Sequence, residues 1–179
     1  MARAWPGAIL DDMECKSTSP DRYRIRTGRA EDLKALRAHL DEAIRPALVE
    51  PGCKPLSGHD SACIVASVEA AFAQALRDRH QKVLIGDLDG RACGFAIVDH
   101  ANPVPDLRWI VVLPEHVGGG LAQALMDAAV RLCPANASLS VVVSAGNRRA
   151  IRFFRRNHFV EKAAGSRIGR ILRMSRQPA

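Results

Sequence analysis

The sequence predicts one α/β domain built on a mixed β-sheet, with elements in the order β-α-α-β-β-β-α-β-α-β-β. A hairpin signal lies mid-chain, where two apolar runs flank Asp89-Gly90 in "KVLIGDLDGRACGFAIVDH" (82–100), a pair favoured in tight turns. Two strand-then-helix segments follow, over 107–132 and 138–157. The hairpin makes the first half antiparallel, and the later segments place a βαβ unit at the centre of the sheet.

The elements before the hairpin are predicted from periodicity. "YRIRT" (23–27) alternates as a short strand, and one amphipathic helix follows over 28–44. Prolines and glycines predict a loop over 45–60. A second long helical pattern covers 61–80, and Ser61 is its predicted N-cap.

The elements after the hairpin are bounded by prolines and glycines. Pro114 ends the strand that starts at Leu107, and Pro134 stops the helix that leaves the glycines. "SLSVVVS" (138–144) is a buried-strand pattern that precedes a helix over 147–157. "HFVEKA" and "RIGRILRMSR" are predicted as a closing pair of strands.

The ends of the chain and its hydropathy set the domain organisation. Residues 1–20 show no sustained periodicity and are predicted to be a flexible N-terminal arm, which leaves 21–179 as a single domain. The first residues make a poor signal peptide, and no run of about 18 apolar residues suggests a membrane span. We therefore expect a cytoplasmic protein without membrane contact.

The net charge of +7 and the pI near 9.6 suit a polyanionic partner, which could be a small molecule or a nucleic acid. With only two Trp, one Tyr and five Phe, the chain offers no stacking platform, so nucleic acid is not favoured. Five cysteines without a CxxC pair indicate reduced thiols. Cys53, His59 and Cys63 lack a second ligand pair at zinc spacing, and we predict no metal site.

Three glycines interrupt the chain between a strand and a helix in "VVLPEHVGGGLAQAL" (111–125). Such a turn exposes unpaired amides at the positive end of the helix dipole, which favours an anion. Glycine also lets a phosphate approach the backbone. No lysine follows as in a P-loop, and Gln123 stands where a dinucleotide fingerprint needs glycine. The alternative is that the glycines only shape a tight turn.

A second helix start follows in "SVVVSAGNRRAIRFFRRNHF" (140–159), where Asn147 comes after a buried strand. The simplest role of Asn147 is that of an N-cap. Two helix N-termini at the same edge of a sheet would also form a cleft for an extended, phosphate-bearing ligand.

These segments carry a family resemblance. From Tyr23 to about Arg176 the chain resembles the GNAT superfamily of acetyltransferases, whose sheet is splayed between its fourth and fifth strands. "VVLPEHVGGGLAQALMDAA" matches the family's strand, proline and [RQ]xxGx[GA] loop, and "NRRAIRFFRRNHF" matches its NxxAxxFYxxxGF pattern. "VLIGDLDGRACGFAIV" resembles the family's second hairpin, and "RILRM" resembles its closing strand.

The resemblance implies acetyl-CoA as the co-substrate. It places backbone groups of β-strand residues along the pantetheine arm, the glycine turn at the pyrophosphate, and the following helix beside the cofactor. The residues that it assigns to cofactor binding are Ile110, Val111, Val112, Val117, Gly118, Gly119, Gly120, Leu121, Ala122, Asn147 and Phe154. Five arginines of the second helix would attract phosphates: Arg148, Arg149, Arg152, Arg155 and Arg156.

Three positions depart from the family pattern. Val117 stands where the family has arginine or glutamine, so one side-chain contact near the pyrophosphate is lost. Phe154 replaces the tyrosine that often acts as general acid, and Arg108 stands where many members have a glutamate that deprotonates the amine. Losing an acid or a base costs about 10²–10⁴ in rate, but proximity alone still gives much of the acceleration.

Asp106, His116 and Ser144 are the substitute catalytic candidates. Strand alternation puts Asp106 on the face of Arg108, where the two could instead form a structural pair. His116 could titrate near neutrality or be an exposed loop residue, and Ser144 could orient a water. His158, where the family often has glycine, is predicted to cap the preceding helix.

The resemblance thus predicts an N-acetyltransferase that passes an acetyl group from acetyl-CoA to a primary amine by direct attack in a ternary complex. The first two helices, the 45–60 loop and the 99–107 connection would wall the acceptor site, where no acidic tunnel is evident. The alternative is an acyl-CoA-binding regulatory pseudoenzyme with little turnover. The acceptor amine and assembly as a homodimer are left open.

Overall fold

The computed structural model describes residues 22–48, 58–134, 136–162, 167–168 and 171–178, so the predicted arm (1–20) lies outside the described residues. The strands are β1 (Arg24–Thr27), β2 (Gln81–Leu88), β3 (Arg91–Asp99), β4 (Asp106–Val112), β5 (Leu139–Ser144), β6 (Phe159–Glu161), β7 (Arg167–Ile168) and β8 (Ile171–Arg176). The helices are α1 (Ala30–Arg37), α2 (Leu40–Leu48), α3 (Gly58–Ala75), α4 (Leu121–Leu132) and α5 (Arg148–Arg156).

These strands form one mixed sheet in the order β1-β2-β3-β4-β5-β8-β6, with β7 paired to β8. The pairing of β4 with β5 is parallel, and the other described pairs are antiparallel. Only Asp106 with Ser140 and Leu107 with Val141 are paired between β4 and β5. The predicted mixed sheet, splayed between its fourth and fifth strands, is confirmed.

Helices cover both faces of the sheet. Phe95 and Ile97 of β3 join a core cluster with Val68 and Phe72 of α3, whereas the alternate residues of β3 join a second cluster with α4. Burial on both faces explains why β3 is an almost continuous apolar run. α1–α3 therefore lie on one face, and α4 and α5 lie on the other.

The predicted hairpin is confirmed. Asp89 and Gly90 have φ values of 52° and 81°, and two consecutive positive φ values are what a type I′ turn needs. This is why the Asp-Gly pair located β2 and β3 correctly from sequence alone.

The helix bounds predicted before the hairpin were wrong. The single helix over 28–44 is interrupted at Ala38, and the amide of His39 bonds the carbonyl of Leu36 at 3.0 Å. Leu36 and Leu40 keep an i, i+4 spacing across the break, so periodicity does not reveal it. The predicted loop over 45–60 is also helical at its described ends.

The predicted role of Ser61 as an N-cap is therefore wrong, because α3 begins at Gly58. Its hydroxyl instead donates to Asp41 and joins α3 to α2. α3 ends at Ala75 rather than at residue 80. The predicted closing pair of strands is three strands, because "RIGRILRMSR" divides into β7 and β8. No helix in the described ranges combines the length and apolarity that crossing a membrane requires.

His158 follows the last helix in a left-handed conformation, with φ of 64°. It comes directly after Asn157, the C-cap of α5, and its amide bonds the carbonyl of Arg155 at 3.1 Å. The prediction that His158 caps the helix is confirmed. Glycine is the usual residue at this position because it has no Cβ to strain the left-handed backbone.

Replacing His158 with glycine is expected to raise the free energy of unfolding by about 0.5–1 kcal/mol, because the strain of the Cβ is removed. Urea unfolding of the two proteins measures the difference. Lys162→Gly, at an exposed position outside the strands, is the control and is expected to give no gain. A His158→Gly variant less stable than the wild type would contradict this interpretation.

Candidate active site

A groove of about 590 Å³ opens where β4 and β5 diverge. Its walls come from β4, the glycine turn, the start of α4, α5 and one edge of α2. The lining residues are Glu42, Ala43, Ile110, Val112, Pro114, His116, Val117, Gly118, Gly120, Ala122, Gln123, Asn147, Arg149, Ala150, Phe153, Phe154 and Arg156.

The edge of β4 presents unpaired backbone groups to this groove. The amide of Leu113 donates to the carbonyl of Cys93 on β3 at 2.9 Å. Since backbone groups alternate in direction along an antiparallel strand, Val111 also faces β3, and Ile110 and Val112 face the side of β5. β5 has already diverged at that point. Of the three residues predicted along the pantetheine arm, Ile110 and Val112 therefore direct their backbone into the gap.

Glycine stands at the three positions of the turn for two different reasons. Gly118 and Gly120 have φ values of 85° and 90°, and a Cβ at either would meet nothing within 4 Å. Their backbone conformation, rather than lack of space, requires glycine. A Cβ on Gly119 would lie 2.7 Å from the hydroxyl of Tyr23. The turn geometry thus needs two glycines, and the third lets the hydroxyl of Tyr23 approach the turn closely.

The turn leads directly into the N-terminus of α4, with Gly120 as an N-cap that has no side chain to bond the helix amides. The first intrahelical bond runs from the amide of Ala124 to the carbonyl of Gly120 at 3.0 Å. The amides of Leu121, Ala122 and Gln123 therefore have no intrahelical acceptor. Together with the helix dipole they favour an anion, and a Cβ at Gly118 or Gly120 would meet nothing within 4 Å, so the space beside the turn is open.

Two glycines of the sheet make room for the residue that follows the turn. Leu121, the first residue of α4, is fully buried. Its side chain occupies the space that a Cβ would take at Gly86 of β2, and it lies 3.2 Å from where a Cβ of Gly94 on β3 would be. The missing side chains let the first turn of α4 lie directly on the sheet, beside the end of β4.

His116 is the predicted catalytic residue that the structure places in the groove lining. It ends the 3₁₀ turn Pro114–His116, and its Nδ1 lies 3.1 Å from the hydroxyl of Tyr23. The two rings meet edge to face, with centroids 5.7 Å apart. Tyr23 engages Nδ1, so Nε2 is the ring nitrogen left for a ligand.

Asp106 lies at the paired end of β4 and is not part of the groove lining. It accepts a hydrogen bond of 2.5 Å from the hydroxyl of Ser140. The prediction that Asp106 and Arg108 share a face is wrong, and in place of the alternative pair between them Arg108 contacts Asp99 at 3.3 Å. A register shift on β3 between Ile97 and Val98 leaves Arg108 as the extra residue of a bulge, and a bulge breaks the strand alternation on which the prediction rested.

Ser144 is also outside the groove lining, although it ends β5 near the groove. Its hydroxyl accepts the amide of Gly146 at 3.3 Å. Asn147 caps α5 through its Oδ1, which accepts the amide of Ala150 at 3.0 Å. Asn147 and Ala150 both line the groove, so the N-cap prediction is confirmed and the cap stands at the site.

α5 presents two sets of arginines. Arg149 and Arg156 line the groove, whereas Arg148, Arg152 and Arg155 do not. Arg155 is paired with Glu161 at 2.7 Å on the surface. Two of the five arginines predicted near the phosphates therefore lie where they can act.

Phe154 is a buried residue of the groove wall. Only 3% of the residue is exposed, and its ring centroid lies 5.4 Å from that of Phe159 in the core. Phe153, its neighbour, is half-buried and lines the same wall. This part of the groove is apolar and has no hydroxyl at the position of the family's tyrosine.

Two polar contributions to the groove were not predicted from sequence. Gln123 of α4 and Asn157, the C-cap of α5, form a reciprocal amide pair, with N···O distances of 2.7 and 3.2 Å. This pair joins the two helices that carry the turn and the N-cap. Glu42 of α2 lines the groove beside Ala43, on a helix whose correct bounds were not predicted.

The residues considered as metal ligands do not form a cluster in the described part of the chain. His59 and Cys63 are one helical turn apart on α3, with Nε2 and Sγ 3.7 Å apart, and Cys53 lies outside the described residues. No group of three or more His, Cys, Asp or Glu side chains suited to a metal ion occurs among the described residues.

Comparison with known proteins gives the family. The profile of the acetyltransferase (GNAT) family matches residues 53–159, more than half of the chain, and the chain belongs to this family. The glycine turn and the groove residues of β4, α4 and α5 fall within the matched region, whereas Glu42 and Ala43 of α2 precede it. Since GNAT acetyltransferases use acetyl-CoA, acetyl-CoA is the co-substrate of this protein.

Solved structures show the same fold. PaiA N-acetyltransferase from Thermoplasma acidophilum, in complex with coenzyme A, has a TM-score of 0.72 at 15% identity and covers 87% of this chain and 98% of its own. Ard1 from Thermoplasma volcanium has a TM-score of 0.64 at 19% identity, covering 88% and 99%. The ribosomal-protein-S18-alanine N-acetyltransferase from Escherichia coli has a TM-score of 0.61 at 20% identity. It covers 88% of this chain and 94% of its own. No curated protein matches the sequence.

Proposed function

We propose that this chain is an N-acetyltransferase that moves the acetyl group of acetyl-CoA to a primary amine by direct attack in a ternary complex. One observation carries the proposal: the open edge of β4, a glycine turn and a helix N-terminus with free amides together line a groove of about 590 Å³. An extended donor with a diphosphate at one end fits this arrangement. The family membership supports the same reaction class.

The donor is held mainly by backbone groups. Ile110 and Val112 bond the pantetheine arm along β4, and the amides of Gly118 and of Gly120 to Ala122 bond the diphosphate. The amides of Val117 and Gly119 take no part, because they donate to Pro114 and His116 within the turn. Arg149 and Arg156 add charge attraction from α5. Because these contacts are mostly from the backbone, the valine at position 117 weakens donor binding without removing it.

Transfer depends first on placement. A neutral amine held against the thioester can attack directly, and such placement supplies a large share of the acceleration. The CoA thiolate is then the leaving group, and Phe154 has no proton to give it. His116 stays in the proposal as the groove residue able to exchange a proton through Nε2. Asp106 and Ser144 are given no contact with the reactants.

The direct test is release of CoA thiol from acetyl-CoA in the presence and absence of a panel of primary amines, together with thermal unfolding with and without acetyl-CoA. We expect stabilisation by about 2.7 kcal/mol when acetyl-CoA is at 100 times its Kd, and amine-dependent thiol release. Stabilisation without amine-dependent release would favour the regulatory pseudoenzyme. Absence of any stabilisation would overturn both functions.

Replacing Phe154 with tyrosine is expected to raise kcat by about 10- to 100-fold, because the new hydroxyl lies in the groove where the family has its general acid. The rate of thiol release at saturating substrates measures the effect. Phe153→Tyr, which adds a hydroxyl to the neighbouring groove position, is the matched control. Equal rates in the two variants would show that proton supply at position 154 does not limit turnover.

A further inference from the structure

We propose that Glu42 is the carboxylate that binds the acceptor, and that the acceptor is an amine carried as a cation at neutral pH. This inference rests on the proposed acetyl transfer. It assigns a polar contact to the end of the groove opposite the phosphate-binding turn.

The position of the groove in the sheet separates its two ends. It passes through the gap between β4 and β5, so one end opens on the face covered by α4 and α5, and the other end opens on the face covered by α1–α3. The glycine turn, Arg149 and Arg156 belong to the first end. Glu42 and Ala43 of α2 belong to the second. A donor whose phosphates occupy the first end leaves the second for the acceptor.

The charges at the two ends are opposite. Among the described residues that line the groove, Glu42 is the sole carboxylate, and the cationic side chains, Arg149 and Arg156, are on α5. An ammonium group is attracted to the Glu42 carboxylate and repelled by the two arginines, whereas a phosphate is attracted to the arginines and repelled by the carboxylate. The groove therefore orients the two substrates by charge as well as by shape.

The side of α2 that packs on the core is opposite to the side that carries Glu42, which is exposed. Leu40 and Ile44, one turn apart, are both buried in the core cluster beneath α2. The carboxylate of Asp41, next to Glu42, accepts hydrogen bonds from Arg45 and from the hydroxyl of Ser61. Across the described part of the chain, no salt bridge or side-chain hydrogen bond involves Glu42. Glu42 is therefore an exposed residue of the groove lining whose charge is not committed to another side chain.

β4 offers no carboxylate to the groove. Asp106, the one acidic residue of this strand, bonds Ser140 at the closed end of the gap and does not line the groove, and Arg108 is engaged with Asp99. A carboxylate for the acceptor must therefore come from another element. α2 supplies it.

Glu42→Gln, which keeps the size of the side chain and removes its charge, tests the proposal with two nucleophiles of the same shape. Ethylamine is a cation at neutral pH, and methoxyamine is neutral. With saturating acetyl-CoA and the uncatalysed rate subtracted, kcat/KM for ethylamine is expected to fall about tenfold, as for one lost charge-assisted contact in an open groove. With methoxyamine it is expected to change less than about twofold, because no charge is bound.

Glu31→Gln, an exposed carboxylate in the first turn of α1, is the control and should leave both rates unchanged. The stabilisation of Glu42→Gln by acetyl-CoA should equal that of the wild type. Equal losses for both nucleophiles, or no loss for either, would overturn the role of Glu42 while acetyl transfer stands. A wild-type protein that binds acetyl-CoA and releases no thiol with any amine would overturn both.

Discussion

Replacing Gly120 with valine is expected to weaken acetyl-CoA binding by about 100-fold, a change that corresponds to the loss of one or two charge-assisted hydrogen bonds. Gly120 has φ of 90°, a conformation that a β-branched residue rarely adopts. Valine would turn the amides at the start of α4 away from the diphosphate and would fill the open space before them. Isothermal titration with acetyl-CoA measures the change in Kd.

Gly90→Val is a matched control for this experiment. Gly90 also has a positive φ, 81°, and open space around its missing Cβ, but it lies in the β2–β3 hairpin and does not line the groove. Both variants carry a similar backbone strain. We expect a similar loss of stability in the two and a loss of acetyl-CoA affinity in Gly120→Val alone. Equal affinities would show that the turn does not hold the donor.

Replacing Gly94 with alanine is expected to destabilise the fold by about 3 kcal/mol, in the range of core overpacking. The new Cβ would lie 2.5 Å from the carbonyl oxygen of Val111 and 3.1 Å from the Cα of Val112. Both are backbone atoms of β4, so relief requires moving the strand that borders the groove. For a chain of this length the melting temperature should fall by about 6–12 °C.

Gly58→Ala is the comparison for that variant. Gly58 begins α3, and a Cβ there meets nothing within 4 Å. The same chemical change at this position should leave the melting temperature unchanged or slightly higher, because alanine favours helix. A Gly94→Ala protein as stable as Gly58→Ala would contradict the close packing of β3 on β4.

Local signals predicted the parts of the fold that depend on local conformation. Asp89-Gly90 located the hairpin because two positive φ values restrict the residue types. Asn147 was identified as an N-cap because its short side chain bonds the helix it precedes. The glycine run marked the turn before α4 because two of its residues need a left-handed backbone.

Features that depend on contacts between distant segments were not predictable in the same way. The bulge at Arg108 is set by the pairing of β4 with β3, and it redirected a side chain whose direction had been inferred from simple alternation. The break between α1 and α2 keeps the apolar spacing of one helix, so it left no trace in the periodicity. Glu42 became a groove residue only through the packing of α2 near the gap.

The glycine turn combines a feature set by local conformation with one set by a contact between distant segments. A run of three glycines suggested either a strained turn or a close approach, and the sequence did not distinguish the two. Gly118 and Gly120 have a left-handed backbone, whereas Gly119 lies close to the hydroxyl of Tyr23, which directly precedes the edge strand β1. A contact across 96 positions of sequence, from Tyr23 to Gly119, is invisible to a local pattern.

Hydrogen–deuterium exchange with and without acetyl-CoA tests the central claim most directly, because it reports on individual amides. We expect added protection of the amides from Gly118 to Gln123 and of Ile110 and Val112, with little change in the β2–β3 hairpin. Apart from Gly119, whose amide donates to the carbonyl of His116, these are the backbone groups that the structure leaves without a partner at the groove. Binding of acetyl-CoA without protection at these amides would contradict the proposed site.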